Sequence, residues 1–96
     1  MPFRVSFTPE ALEALDHLDK SDRVRARKVK KTIGQLEVDP RYPGLNSHKY
    51  ATLKGANGED VWECYVENKT PAAFRVFWHY GPATGELTVV AITRHP

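Results

Sequence analysis

The sequence is short of most of the residues and runs that would announce a chemistry at once. It holds one cysteine, Cys64, which excludes an internal disulfide and any zinc site built from several cysteines. No apolar run approaches the roughly 20 residues needed to span a bilayer. The opening MPFRVSFT has no basic segment followed by a long apolar one, so no secretory signal or membrane association is expected and a cytoplasmic location is. There is no HExxH, no histidine pair at helical metal spacing, no phosphate-cradling glycine loop, no nucleophile elbow and no dinucleotide fingerprint. Neither a metal nor a cofactor is expected. Any chemistry has to be done with His, Arg, Lys, Tyr and Glu.

What is present reads as one soluble domain spanning residues 1–96, with 41% hydrophobic and 27% charged residues and no repeat or linker. The net charge is only +2, but it is unevenly spread. RVRARKVKK, from Arg23 to Lys31, holds six basic residues and no acid. Such a run is either a solvated helix face or a surface for an anionic partner, a phosphate backbone or an acidic protein.

FRVSF (3–7) alternates as a short strand. Thr8-Pro9 with Glu10 is a helix start, with a hydroxyl cap, proline at the first helical position and an acid in the first turn. Ala11, Leu12, Leu15 and Leu18 form an apolar stripe that predicts a helix over 9–19. Ser21-Asp22 caps a second helix, over 22–37, whose apolar positions are Ala26, Val29, Ile33 and Leu36. Gly34 weakens its last turn, and Asp39-Pro40 ends it. The short link between the two predicts an antiparallel helical hairpin. Residues 40–60 are rich in proline, glycine and asparagine, with a short strand near Tyr50–Lys54. Three strand-like runs follow, VWECYV (61–66), AAFRVFWHY (72–80) and ELTVVAIT (86–93), the last two joined by the turn-forming GPATG.

This order predicts an α+β fold: an N-terminal strand, the helical hairpin, then an antiparallel sheet of about four strands with the helices on one face. The predicted core is Leu12, Leu15, Val29, Ile33, Leu36, Val76, Trp78 and Val89. Alternation puts Phe74, Val76, Trp78 and Tyr80 on one face and Arg75, Phe77 and His79 on the other; Trp62, Cys64 and Val66 oppose Val61, Glu63 and Tyr65. In the last strand Leu87, Val89 and Ala91 oppose Thr88, Val90 and Ile92. With the large apolar set under the helices, Glu63, Tyr65, Arg75 and His79 should lie on an open face.

This inventory suits cleavage of RNA by its own 2′-hydroxyl. The reaction needs a base, an acid for the departing 5′-oxygen and cations for charge gathering on phosphorus. Arginine can clamp a phosphate oxygen, and tyrosine can stack on a base. The basic helical hairpin, the loop HKYATLKG, and the strands VWECYV, FRVFWHY and VVAITRHP together resemble the RelE/ParE toxin superfamily over nearly the whole chain. The nearer resemblance is to its RelE-, HigB- and YoeB-like branch. It implies a small α+β toxin that enters the ribosome and cuts mRNA without a cofactor, silenced by a cognate antitoxin encoded beside it.

Residue by residue, the resemblance assigns Arg75 to the scissile phosphate and His95 to proton transfer, with Glu63 and Tyr65 as further catalytic groups. Glu63 and Tyr65 stand where RelE has two lysines, and the chain ends in proline where YoeB-like chains end in tyrosine. His48, Lys49, Tyr50, Lys54 and Arg94 are expected to contact RNA, together with His79, placed at the surface beside a turn. An acidic or amphipathic antitoxin segment would cover the open sheet face or the basic helix. Two other readings stand beside this one, a ParE-like gyrase inhibitor without enzymatic activity and a non-toxic family member acting by binding. The closing AITRHP leaves a structural question: whether Arg94 and His95 are a solvated tail or are carried by the last strand into a site.

Overall fold

The computed structural model describes residues 2–95. The elements are β1 (Arg4–Phe7), α1 (Pro9–Ser21), α2 (Arg23–Val38), a 3-10 turn (Pro43–Leu45), β2 (His48–Lys54), β3 (Asp60–Tyr65), β4 (Phe74–Tyr80) and β5 (Glu86–Arg94). The helix boundaries follow the caps read from the sequence. The Ala11 N–H donates to Thr8 Oγ1 at 3.2 Å and the Arg25 N–H to Asp22 Oδ1 at 3.1 Å. Each bond satisfies one of the backbone donors that a helix start leaves without a partner.

The five strands form one sheet in the order β1-β5-β4-β3-β2. The N-terminal strand joins this sheet as its edge, pairing in parallel with β5, so the sheet is mixed. The other pairings are antiparallel. Both helices lie on one face, over a core of Ala11, Leu18, Ala26, Val29, Leu36, Cys64, Val76, Trp78, Leu87, Val89 and Ile92.

Two details depart from the pattern read along the chain. Leu12 is 52% exposed, because α1 turns the stripe Ala11, Ala14, Leu15 and Leu18 toward the sheet and Leu12 falls off its edge. In β5 the alternation breaks: Phe77 faces Ala91 but Trp78 faces Val89, so Val90 is an extra residue, a bulge. Beyond it the faces exchange, and Ile92 rather than Ala91 enters the core. The bulge also decides what the chain end does, because it puts Thr93 opposite Arg75 and Arg94 opposite Phe74.

Candidate active site

Glu63 lies at the centre of the sheet face turned away from the helices. It pairs with Phe77 in β4 and with His48 in β2, and it is wholly buried. A carboxylate without water must be paired. Its Oε1 lies 2.7 Å from His48 Nε2 and its Oε2 lies 2.5 Å from His95 Nδ1. Arg75 Nε is 4.0 Å from Oε2, and that nitrogen is buried with no hydrogen-bond partner among the described residues. The guanidinium is held elsewhere: Arg75 Nη1 donates to the carbonyls of Glu67 at 2.6 Å and Phe74 at 3.1 Å. Its Cζ lies 3.8 Å from the centre of the Tyr65 ring, a cation–π contact.

His95 is not part of a loose tail. The His95 N–H donates to the Ala73 carbonyl at 2.9 Å, continuing the ladder one residue past β5, and Nδ1 meets Glu63. This leaves Nε2 of a half-exposed ring as the nitrogen turned away from the carboxylate. His48 is held at both nitrogens, with Nδ1 3.1 Å from the Asn46 carbonyl. Asn46 closes the 3-10 turn in the left-handed region, at φ 52°, a conformation asparagine tolerates better than most residues.

The face is therefore not open at these positions. Arg75 is 7% exposed and Phe77 1%. Tyr65 covers the first, and Tyr50 packs edge-on against the second with ring centroids 5.0 Å apart. His79 is 6% exposed rather than at the surface. A Cβ placed on Gly55 would come within 3.0 Å of its ring, so the β2–β3 turn lies directly on it, and its Nδ1 donates to the Tyr80 carbonyl. Tyr80, which alternation puts on the helix side with Val76 and Trp78, is 40% exposed.

The structure thus brings together His48, Glu63, Tyr65, Arg75 and His95, with Tyr50 alongside, and separates the other candidates from them. Lys49 pairs with Trp62, on the helix side of the sheet, and reaches Asp60 at 3.3 Å. Lys54 is 2.6 Å from the same carboxylate. The Lys54 hydrogen bond, then that of Lys49, hold the Asp60 carboxyl below its ordinary value. Arg94 opposite Phe74 likewise points away from Glu63.

Sequence reasoning missed Glu67. Its carboxylate accepts from the Phe74 N–H at 3.1 Å and from Arg25 Nε at 3.1 Å, with Lys28 Nζ at 3.5 Å. Burial pushes this carboxyl up, but the Phe74 N–H and the two cations outweigh it and hold it below the ordinary glutamate value. Part of the basic run is therefore engaged by the chain's own carboxylates: Arg25 and Lys28 on Glu67, and Lys30 on Asp19 at 2.7 Å at the surface. No local sequence signal marks Glu67, which lies 42 residues from Arg25. Beside it, a concavity of about 580 Å³ lined by Lys28, Lys31, Gln35, Tyr65 and Asn68 runs between α2 and the end of β3. Cys64 takes no part: burial pushes its thiol up to about 12, which leaves it inert at neutral pH.

Among the described residues no group of three or more His, Cys, Asp or Glu is placed to hold a metal ion, and no helix is long and apolar enough to cross a membrane.

No protein-family model matches the sequence, and no curated protein matches it. The structure does match solved ones. A YoeB/ParE toxin from Agrobacterium tumefaciens is similar with a TM-score of 0.73 at 14% identity, over 97% of this chain and 99% of that one. The archaeal RelE–RelB complex from Pyrococcus horikoshii gives a TM-score of 0.69 at 17% identity, over 98% and 96%. The YoeB dimer from Staphylococcus aureus gives 0.66 at 13% identity, over the full length of both chains. At these identities the likeness is one of architecture, and it agrees with the resemblance seen in the sequence: this chain has the same fold as these YoeB and RelE toxins.

Proposed function

We propose that this chain is the toxin of a toxin–antitoxin pair and that it cleaves mRNA by transesterification at the His95–Glu63–Arg75 cluster. The observation that carries the reading is the His95–Glu63 contact. A chain end is held in place by a backbone hydrogen bond, and its imidazole is oriented by a wholly buried carboxylate. A surface histidine has no use for such support. A proton-transferring histidine does, because an orienting carboxylate fixes which nitrogen faces the substrate and stabilises the imidazolium when it forms.

In this reading Glu63 orients and does not itself meet substrate, since both its oxygens are occupied and buried. His95 Nε2 takes the 2′-hydroxyl proton as the 2′-oxygen bonds to phosphorus, and returns it to the 5′-oxygen as the P–O5′ bond breaks. Arg75 supplies positive charge beneath the site, and Tyr65 offers a ring on which a base stacks. The Pyrococcus horikoshii neighbour comes from a complex of RelE with RelB. An antitoxin for this chain would be an acidic or amphipathic segment laid over the same face or over α2. The ribosome is the place where a small toxin of this fold would meet mRNA.

The test is induced expression followed by mapping of new mRNA 5′ ends, with His95→Gln beside the parent. Removing the proton-transfer group costs about 10²–10⁴ in rate, so the parent should generate new ends and the variant should not. Growth arrest without new ends would replace this reading by gyrase inhibition. Unimpaired growth without new ends, and no small partner co-purifying, would leave a non-toxic binding protein.

A further inference from the structure

Of the two imidazoles on Glu63, only His95 is placed to meet a substrate, yet the other is built in with equal care. His48 is anchored at both ends of its ring, to the Asn46 carbonyl and to Glu63 Oε1. The carbonyl can only accept, so Nδ1 of His48 carries a proton, and Nε2 shares another with the carboxylate. His48 therefore has no free nitrogen with which to act on RNA. Opposite stands Arg75 Nε, a buried donor with no hydrogen-bond partner among the described residues, 4.0 Å from the same carboxylate. A buried unpaired N–H draws strongly on any acceptor within reach.

The groups facing Glu63 are thus His48 from β2, Tyr65 from β3, Arg75 from β4 and His95 beyond β5, and three of them can donate to its two oxygens. We infer that His48 is a positioning residue: by holding Oε1 it keeps the carboxylate from turning onto Arg75, so that Oε2 stays with His95 Nδ1 and Nε2 stays aimed at substrate. This rests on the RNA-cleaving reading for its consequence, but its geometry can be tested without it.

The spectroscopic experiment uses the full chain labelled with ¹⁵N in its histidines, and reads the tautomer of His95 from the imidazole nitrogen resonances. In the parent, Nδ1 of His95 should carry the proton. His48→Ala should give a mixture of both tautomers. His48→Gln restores a donor at the position of Nε2 and should return His95 to the parent state. If His48→Ala left the His95 tautomer unchanged with the fold intact by backbone spectra, the inference would be wrong. If the parent cuts RNA, His48→Ala should lower kcat by about 10- to 100-fold, the cost of losing an orienting group. KM should stay within about 2-fold, and His48→Gln should recover most of the loss. A fall confined to KM would make His48 an RNA contact instead. A parent that fails to cut RNA removes the proposed function and leaves the tautomer result standing.

Discussion

Two carboxylates lie four residues apart, the buried Glu63 in β3 and the partly buried Glu67 just after it, and they do opposite things. Glu67, its side chain 11% exposed, is met by Arg25, Lys28 and a backbone N–H. The cluster ties α2 and the loop after β3 to the start of β4, and its carboxyl is held low. Glu63, with no exposure at all, is met by two imidazoles, and the one permanent cation nearby, Arg75, stands off at 4.0 Å. Permanent cations make a strut. The imidazole of His95, held by the carboxylate at Nδ1, keeps its other nitrogen turned away from it.

The comparison is sharpest under paired substitutions. Glu63→Gln removes the charge that orients His95, and RNA cleavage measured on the purified protein should fall by up to about 10⁴, with the circular dichroism spectrum unchanged. Glu67→Gln should do the reverse. It leaves Arg25 and Lys28 without their partner and should cost about 1–3 kcal/mol by urea unfolding, while cleavage per folded molecule is retained. Loss of cleavage in Glu67→Gln at unchanged stability would erase the distinction.

Acid gives a smaller effect of known sign. Because the Glu67 carboxyl is lower in the folded chain than its ordinary 4.5, its contribution is fully present above that pH. It is lost as pH falls below 4.5 through the folded value. The urea midpoint of the parent should drop over that window, and that of Glu67→Gln should drop less. Smaller again is Gly34→Ala in α2, where an added Cβ would meet nothing within 4 Å. It should raise stability by about 0.5–1 kcal/mol. Smallest is Arg27→Gln, on the solvent side of the basic run, which should shift stability by no more than about 0.5 kcal/mol. A loss above that would mean the exposed half of the run also braces the fold.

Much of the architecture could be read along the chain, because its causes are local. Thr8 and Asp22 cap the two helices wherever those helices pack, and the spacing of Ala26, Val29 and Leu36 allows α2 one buried face. Alternation in β3 and β4 put Glu63, Tyr65 and Arg75 on a common face, and that held. What failed has non-local causes. Leu12 belongs to an apolar stripe by spacing, but the tilt of α1 on the sheet decides that Ala11 and Leu18 go under and Leu12 stays out. The bulge at Val90 is one extra residue in the pairing of β5 with β4, and nothing in ELTVVAIT marks it. Yet it sends Arg94 to the helix side and leaves His95 to reach Glu63.

The same holds for the charges. Residue types alone determined that this protein could use only imidazole, guanidinium, ammonium, phenol and carboxylate, and alternation determined which of them could meet on one face. The tertiary structure decided that Glu63 would be sealed from water, with His48 arriving from 15 residues before it and His95 from 32 after. It also decided that Arg75 would be covered by Tyr65, and that Lys49 and Lys54 would share the Asp60 carboxylate away from the site. Burial and partnership belong to three-dimensional neighbours, and in a sheet those neighbours are set by strand register, a property of two strands at once that neither strand carries alone.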